Sequence, residues 1–403
     1  MMEIQELLYW EHLGIAGAVA VSVFVLIGLF LRLFETPSPR MHIWAMIAFF
    51  VNTIADGVNS FAFSGVLLVP STFFRWHDVF IPGFMVALYF YVRALTSSNA
   101  ALHRRDAVHL LPFVLSFICL APTLLLPANV RRGLVDGAIT QNYQQLIDLG
   151  EMAFWILWIV ILIVYGALCT RRLTQHKRNI RDVFSNLESK TLRWLDGLVA
   201  TILTLALFVI IDEVLLLMGS PAIRDGVWSR LFDLILPMSF GIFALRANPP
   251  LPDWSEQILE PPTAPTGVEA GKPQSRYARS GLQQEDIDRY AARLESRMAN
   301  GQLWRDHGLN LSSLASAIAI APIHLSEVLN TKLSMSFYDY VNQCRIRDAC
   351  DLLIKTDATI IEISETVGFN AKSTFNTSFK KVTDQTPSSW RATHKPQNGI
   401  GDV

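Results

Sequence analysis

Charge is scarce in this chain. Asp, Glu, Lys and Arg make up only 17% of its 403 residues, against about 25% in ordinary soluble domains, so part of the polypeptide is built to avoid water. Cysteine is scarce too. The four cysteines form no CxxC pair and no His/Cys spacing suited to zinc, which argues against a disulfide framework or a structural metal. Catalytic signatures are missing as well: there is no glycine-rich phosphate loop, no GxSxG elbow and no HRD or DFG motif. No hydrolase, kinase or redox chemistry is indicated, no cofactor is expected, and a non-enzymatic role follows. The formal net charge of −1 excludes a global field that draws nucleic acid to the whole molecule.

What is present is unevenly spread. Residues 13–247 hold the long apolar runs, and the remainder has ordinary soluble composition. A helix needs about 20 mostly apolar residues to cross a bilayer. Seven stretches qualify: His12–Leu33, Ile43–Leu67, Val79–Leu95 (interrupted by Pro82 and Gly83), Val108–Leu126, Met152–Thr170, Gly197–Met218 and Trp228–Ala247. The first is too long for a signal peptide and lacks a small-residue cleavage pattern, so it reads as a retained anchor. Lys and Arg set the orientation. The stretches after spans one, three and five carry twelve of them, including Arg104, Arg105, Arg171, Arg172 and Lys177, while the alternate stretches carry five. This bias puts the N-terminus outside, the C-terminus in the cytoplasm, and the chain in a cytoplasmic membrane with the lipid bilayer as a partner.

Polar side chains inside such spans are costly and therefore informative. Asn52, Asp56 and Asn59 recur at helical spacing in span two; Asp212 and Glu213 lie late in span six and Asp233 early in span seven. Two readings stand. They bond to one another, or to Arg75 and Arg230, as interhelical glue, or they line an outward-facing pocket that senses a polar or cationic ligand or protons. His77 and Asp78, just outside span three, are two neighbours and do not by themselves make a metal site.

Between Asn248 and Ser275 seven prolines rule out a long helix, so residues 248–276 read as an extended tether. A helical series follows over 277–395, with 396–403 as a tail. Ile287, Ala291, Leu294 and Met298 form one stripe, and Phe337, Val341, Ile346, Ala349, Leu352 and Leu353 form another. Two helix–break–helix figures flank the second stripe. In the later one Gly368 supplies the turn, Asn370 is placed to cap the next helix, and Phe375 and Phe379 face inward. Lys372, Ser373, Asn376, Thr377 and Lys380 are left outside, as either a solvated face or a set of donors for base edges and phosphates. The expected fold class is all-α: a seven-helix membrane region over 1–247, the tether, and a domain with two helix-turn-helix units.

The stretch "ISETVGFNAKSTFNTSFKKVTDQTPSSWR", with "HLSEVLNTKLSMSFYDYVNQCRIRDACDLL" before it, resembles the C-terminal DNA-binding region of AraC/XylS-type regulators. The pieces "YFYVRALT" and "HLLPFVL" resemble a membrane-bound subgroup of that family. The resemblance covers Tyr277 to Arg391. It implies a regulator that binds double-stranded promoter DNA, with RNA polymerase and a second copy of the chain as further partners. It maps base-facing positions to Lys372, Ser373, Asn376 and Thr377 on the second reading helix, with Lys380 nearer phosphate. On the first it maps them to Ile323, Ser326 and Glu327, with Asn330 and Lys332 nearer the backbone. Ala321 stands where the family has a capping Ser or Thr, and Ser334 and Asp384 stand where it has Gly. Between Ala321 and Lys395 nine bases face eight acids, so nonspecific affinity for DNA is expected to be modest.

Overall fold

The apolar runs fold as long helices whose outward side chains are greasy. In the computed structural model, which describes residues 2–35, 41–63, 76–97, 101–126, 141–188, 192–218, 237–242, 244–245, 255 and 282–394, these are α1 (Met2–Glu35), α2 (Met41–Phe63), α3 (Gly83–Thr96), α4 (Leu111–Leu124), α5 (Gln141–Val183) and α6 (Arg193–Leu217). Among the described residues five segments are long and apolar enough to cross a membrane: His12–Phe34, Met41–Phe61, Trp76–Thr96, Arg104–Leu124 and Tyr143–Val183. On α1, Phe24, Phe30 and Phe34 are exposed by 72%, 56% and 74%, an outer surface that water would not tolerate as a continuous patch. The expected sixth span falls on α6. Most of the expected seventh lies outside the described residues, as does the proline-rich stretch. Among the described residues the one extended pairing is an isolated bridge between Phe184 and Asn310.

Contacts divide the chain into two units. One is Met1–Thr174 with Arg193–Pro250; the other is Gln175–Leu192 with Leu251–Val403. Residues 175–192 therefore group with the C-terminal unit, where the basic stretch had read as a loop of the membrane half. The reason lies in α5. It has 43 residues and so runs about 64 Å, roughly twice the apolar thickness of a bilayer. Its Arg, Lys and Gln residues are good helix formers, and Leu173, His176, Ile180 and Val183 recur on one buried stripe.

In the first unit α2 packs against α1 and α3. Pro82 caps α3, so the apolar run that contains it splits into a 3₁₀ turn at Trp76–Phe80 and a helix from Gly83. That break turns His77 and Asp78 toward α2.

Among the described residues from Leu282 onward the second unit is built from helices: α7 (Gln284–Gly301), α8 (Leu311–Ala317), α9 (Pro322–Thr331), α10 (Phe337–Lys355), α11 (Ile360–Thr366), α12 (Lys372–Thr383) and α13 (Pro387–His394). Helix α10 serves two cores. Its first half adds Phe337, Tyr340 and Val341 to Leu294, Met298, Leu311, Leu314, Leu325 and Leu329, together with Ile180 and Val183 of α5. Its second half adds Ile346, Ala349 and Leu353 to Ile363, Val367, Phe369, Phe375 and Phe379. Helices α8 and α9 meet at 100°, the angle range of helix-turn-helix pairs.

Candidate nucleic-acid interface and the buried polar clusters

The α11–α12 pair is built around Gly368. Its φ is +98°, and a Cβ there would sit 2.7 Å from the Trp304 carbonyl oxygen and 2.9 Å from that of Arg305, so both backbone conformation and space require glycine. Phe375 and Phe379 are fully buried and fix the inward face of α12. Lys372, Ser373, Thr377 and Lys380 are exposed and Asn376 half-buried on the other face. All five expected contact residues thus share one presented surface. The cap differs from expectation: α12 starts at Ala371, with no side-chain cap hydrogen bond, instead of at Asn370. Ser334 and Asp384 both adopt left-handed φ, 52° and 58°, in the places where glycine would be the easier residue. Thr386 caps α13 by accepting from the Ser389 N–H at 3.2 Å.

Helix α9 is treated differently. Ser326 and Glu327, expected to face bases, are 1% and 7% exposed. Ile323 leans on the first core. Asn330 donates to the Ser326 carbonyl at 2.9 Å, and Lys332 pairs with Asp288 of α7. The same helix α7 lays Ile287, Ala291 and Tyr290 over Val328 and stacks Tyr290 on His324. With α7 packed on it, α9 does not offer Ser326 and Glu327 to a ligand in this conformation.

Between the two cores lies a fully buried guanidinium. Arg345 Nε donates to the Trp304 carbonyl at 2.7 Å and Nη2 to that of Asp306 at 2.9 Å. Three further bonds reach the segment after α5, the Ser185 carbonyl at 3.3 Å, Ser185 Oγ at 3.2 Å and Asn186 Oδ1 at 3.1 Å, and one goes to Asn342 Oδ1 on α10 at 3.4 Å. Burial pulls Arg345 down to about 10, which still leaves it charged at neutral pH. Ser185 Oγ in turn donates to the Leu309 carbonyl at 2.6 Å, and Asn186 donates to those of His307 and Gly368. Arg181 of α5 and Lys381 of α12 both bind Asp339, each at 2.9 Å. Burial pushes the Asp339 carboxyl up, but the Ser336 hydroxyl and the two cations outweigh it and hold it below the usual carboxylate range. Finally, Thr374 on α12 donates to Glu188 Oε1 at 2.6 Å. None of these partnerships was visible in the sequence, because Arg345 and Ser185 lie 160 positions apart. The one available signal was an arginine at a core register of an otherwise apolar stripe.

In the first unit Asn52 is buried and its Oδ1 lies 3.2 Å from His77 Nε2. His77 Nδ1 is 3.6 Å from Asp56 Oδ1, and Asn59 donates to Asp78 Oδ1 at 3.4 Å. The three expected residues of α2 do share a face, and what the sequence does not show is that His77 and Asp78, set aside there as mere neighbours, join them. Asp212 and Glu213 lie on α6; Asp233 is outside the described residues. Among the described residues no group of three metal-ligating side chains converges.

Residues 314–393 match the family of a "Helix-turn-helix domain". Over 83 residues the chain is 35% identical to an uncharacterized HTH-type transcriptional regulator of Staphylococcus aureus strain COL, a match that covers 21% of this chain and 11% of that protein. Over 90 residues it is 28% identical to "Probable transcription factor PqrA" of Proteus vulgaris, covering 22% and 74%. The chain thus spans about a tenth of the length of the staphylococcal relatives. Among solved structures, the C-terminal domain of AraT, a response regulator from Geobacillus stearothermophilus, is similar at 26% identity and a TM-score of 0.25, covering 29% of this chain and 92% of that one. By the family match, residues 314–393 are a helix-turn-helix domain, and they are similar in sequence to such transcription regulators.

Proposed function

We propose that this chain is a one-component transmembrane transcription regulator of the AraC/XylS type. The apolar half crosses a bacterial cytoplasmic membrane seven times with the N-terminus outside. The C-terminal unit reads promoter DNA in the cytoplasm through two helix-turn-helix pairs, α8–α9 and α11–α12, and works with RNA polymerase as a monomer or homodimer. The greasy outer faces of α1 and α5 and the twelve-to-five bias of basic residues support the membrane reading.

One observation carries control by the membrane half. Helix α5 has no break between Gln141 and Val183, and its end is part of the core and hydrogen-bond network of the DNA-binding unit. A rotation or shift of α5 is therefore felt at Asp339 of α10 and Thr374 of α12 without passing through the proline-rich stretch. The membrane half is a sensor in this reading, and the Asn52–His77–Asp56 cluster belongs to it.

Insertion of one, two or three alanines between Arg178 and Asn179 tests this, because each added residue turns the helix by about 100°. Promoter output in cells should change with each insertion, while deletion of residues 256–270 leaves it unaltered. Wild-type output from all three insertions, in protein that still reaches the membrane, would leave the apolar half as a passive anchor for a signal sensed elsewhere.

A further inference from the structure

We infer that the first unit holds a binding site, between α2 and α3, for a neutral apolar molecule that carries one hydrogen-bond acceptor such as a ketone or ester carbonyl. The inference rests on the reading of this half as a membrane-embedded sensor. The site is a space of about 590 Å³, within the roughly 300–1,000 Å³ that ligand pockets occupy. Its origin is legible in the residues. Ala45, Ala48, Asn52 and Ala55 follow one another at intervals of four and three along α2 and so form one stripe. Gly83 and Ala87 line the same space from α3. Small side chains on both sides leave the volume, and Trp44, Phe80, Phe90 and Phe113 give it aromatic walls.

Two polar side chains line that volume, His77, whose Nδ1 lies 3.6 Å from Asp56 Oδ1, and Asn52, whose amide nitrogen has no partner. Asn52 is only 9% exposed; its Oδ1 faces His77, and its Nδ2 has no hydrogen-bond partner. An amide N–H left unpaired in an apolar site is unfavourable until something accepts from it. A Cβ on Gly83 would stand 3.5 Å from that Nδ2 and 3.4 Å from the Phe113 ring, so glycine keeps the approach to the amide open. Apart from His77, none of the described lining residues is ionisable, so the lining offers no fixed charge to pair with a phosphate or an organic cation.

Asn52 lies eleven residues from each end of α2, about 16 Å along the helix from either end, and half-exposed Trp44 and exposed Leu102 stand at the rim of the space.

The test uses the full-length protein in phosphatidylcholine nanodiscs, photolabelled with a diazirine-bearing 2-tridecanone. Labelled peptides should map to 41–55 and 80–90, and unlabelled 2-tridecanone should displace the probe about 10-fold better than tridecane, the ratio given by one ordinary hydrogen bond. Ala48→Phe should abolish labelling. Asn52→Leu, which keeps the volume, should retain labelling while the ketone-to-alkane ratio falls to one, and it serves if Ala48→Phe does not fold. Equal displacement by ketone and alkane in the wild type overturns the proposal. So does labelling spread over all lipid-facing helices and insensitive to Ala48→Phe. Labelling of the site by a diazirine-bearing phosphatidylcholine that the ketone does not displace makes it a lipid site and also overturns the proposal. Binding is read here without a promoter, so failure of the α5 insertions would remove the sensor reading and leave this result standing.

Discussion

Helices α9 and α12 occupy equivalent places in two successive helix pairs, yet only one is presented. Helix α12 turns Lys372, Ser373, Thr377 and Lys380 to solvent and buries only phenylalanines and a serine. Helix α9 buries five consecutive residues, Ser326 and Glu327 among them, with α7 packed on it. The difference arises from what each pair packs against. The second pair closes on α10 and α13 and leaves its outer face alone, while the first is enclosed by α7 and shares its core with the end of α5. A helix-turn-helix figure in a sequence thus specifies a fold, and its neighbours decide whether the reading face is available.

The largest way to break the comparison is to remove what holds the pairs in register. Arg345→Ala leaves the carbonyls of Ser185, Trp304 and Asp306 without their donor. It should lower the stability of the second unit by about 3 kcal/mol or more, as expected when several buried acceptors lose one shared charged donor, measured by chemical denaturation of the purified protein. Arg345→Lys should recover only part of this, because an ammonium has no planar fork to serve the same acceptors.

Next comes the presented face. Lys372→Ala combined with Asn376→Ala should weaken binding to the cognate promoter by about 100-fold or more, with thermal stability intact, in footprints with detergent-solubilised protein. Undiminished footprints would falsify α12 as a reader. The sharper half of the comparison is Ser326→Ala with Glu327→Ala. If α9 is held covered, that pair changes promoter affinity less than about 3-fold; a loss equal to that from α12 shows that α7 moves aside when DNA binds.

The smallest expected effect is on pH. Asp339 titrates below its ordinary value in the folded unit. Its contribution is therefore fully present above the unfolded-state value of about 3.9 and is lost as pH falls through the lower folded value. Asp339 is partly exposed, so the effect should be about 1 kcal/mol or less. Asp339→Asn should flatten the stability profile below pH 4, and comparison of melting curves at pH 3 and pH 7 reads this directly.

Much of this was legible in advance. The stripes Ile287–Met298 and Phe337–Leu353 appeared with a helical period, and the glycine at 368 announced its turn, because burial and backbone limits leave local marks. The placement of Asn52, Asp56 and Asn59 on one face followed from spacing alone. What was not legible depends on distant partners. The basic residues after Thr170 read as a loop because charge suggests water, yet the same residues form a helix with Ile180 and Val183 turned inward. His77 joined the α2 cluster only through the break at Pro82. Burial of Ser326 and Glu327 came from packing that no local pattern encodes, and Asn370 lost its capping role to a start one residue later.

The buried guanidinium of Arg345 also fixes an order of assembly. Its acceptors come from residues 185–186 as well as 304–306, and the earlier stretch is synthesised nearly a hundred residues before α7. The C-terminal helices thus complete their fold on a template that the ribosome has already delivered with α5. A cut anywhere between Leu251 and Leu282 would release a fragment that lacks Ile180, Val183, Ser185 and Asn186. Such a fragment should therefore be less stable than the same helices in the full chain, since it loses Ile180 and Val183 from its core and two acceptor residues of Arg345.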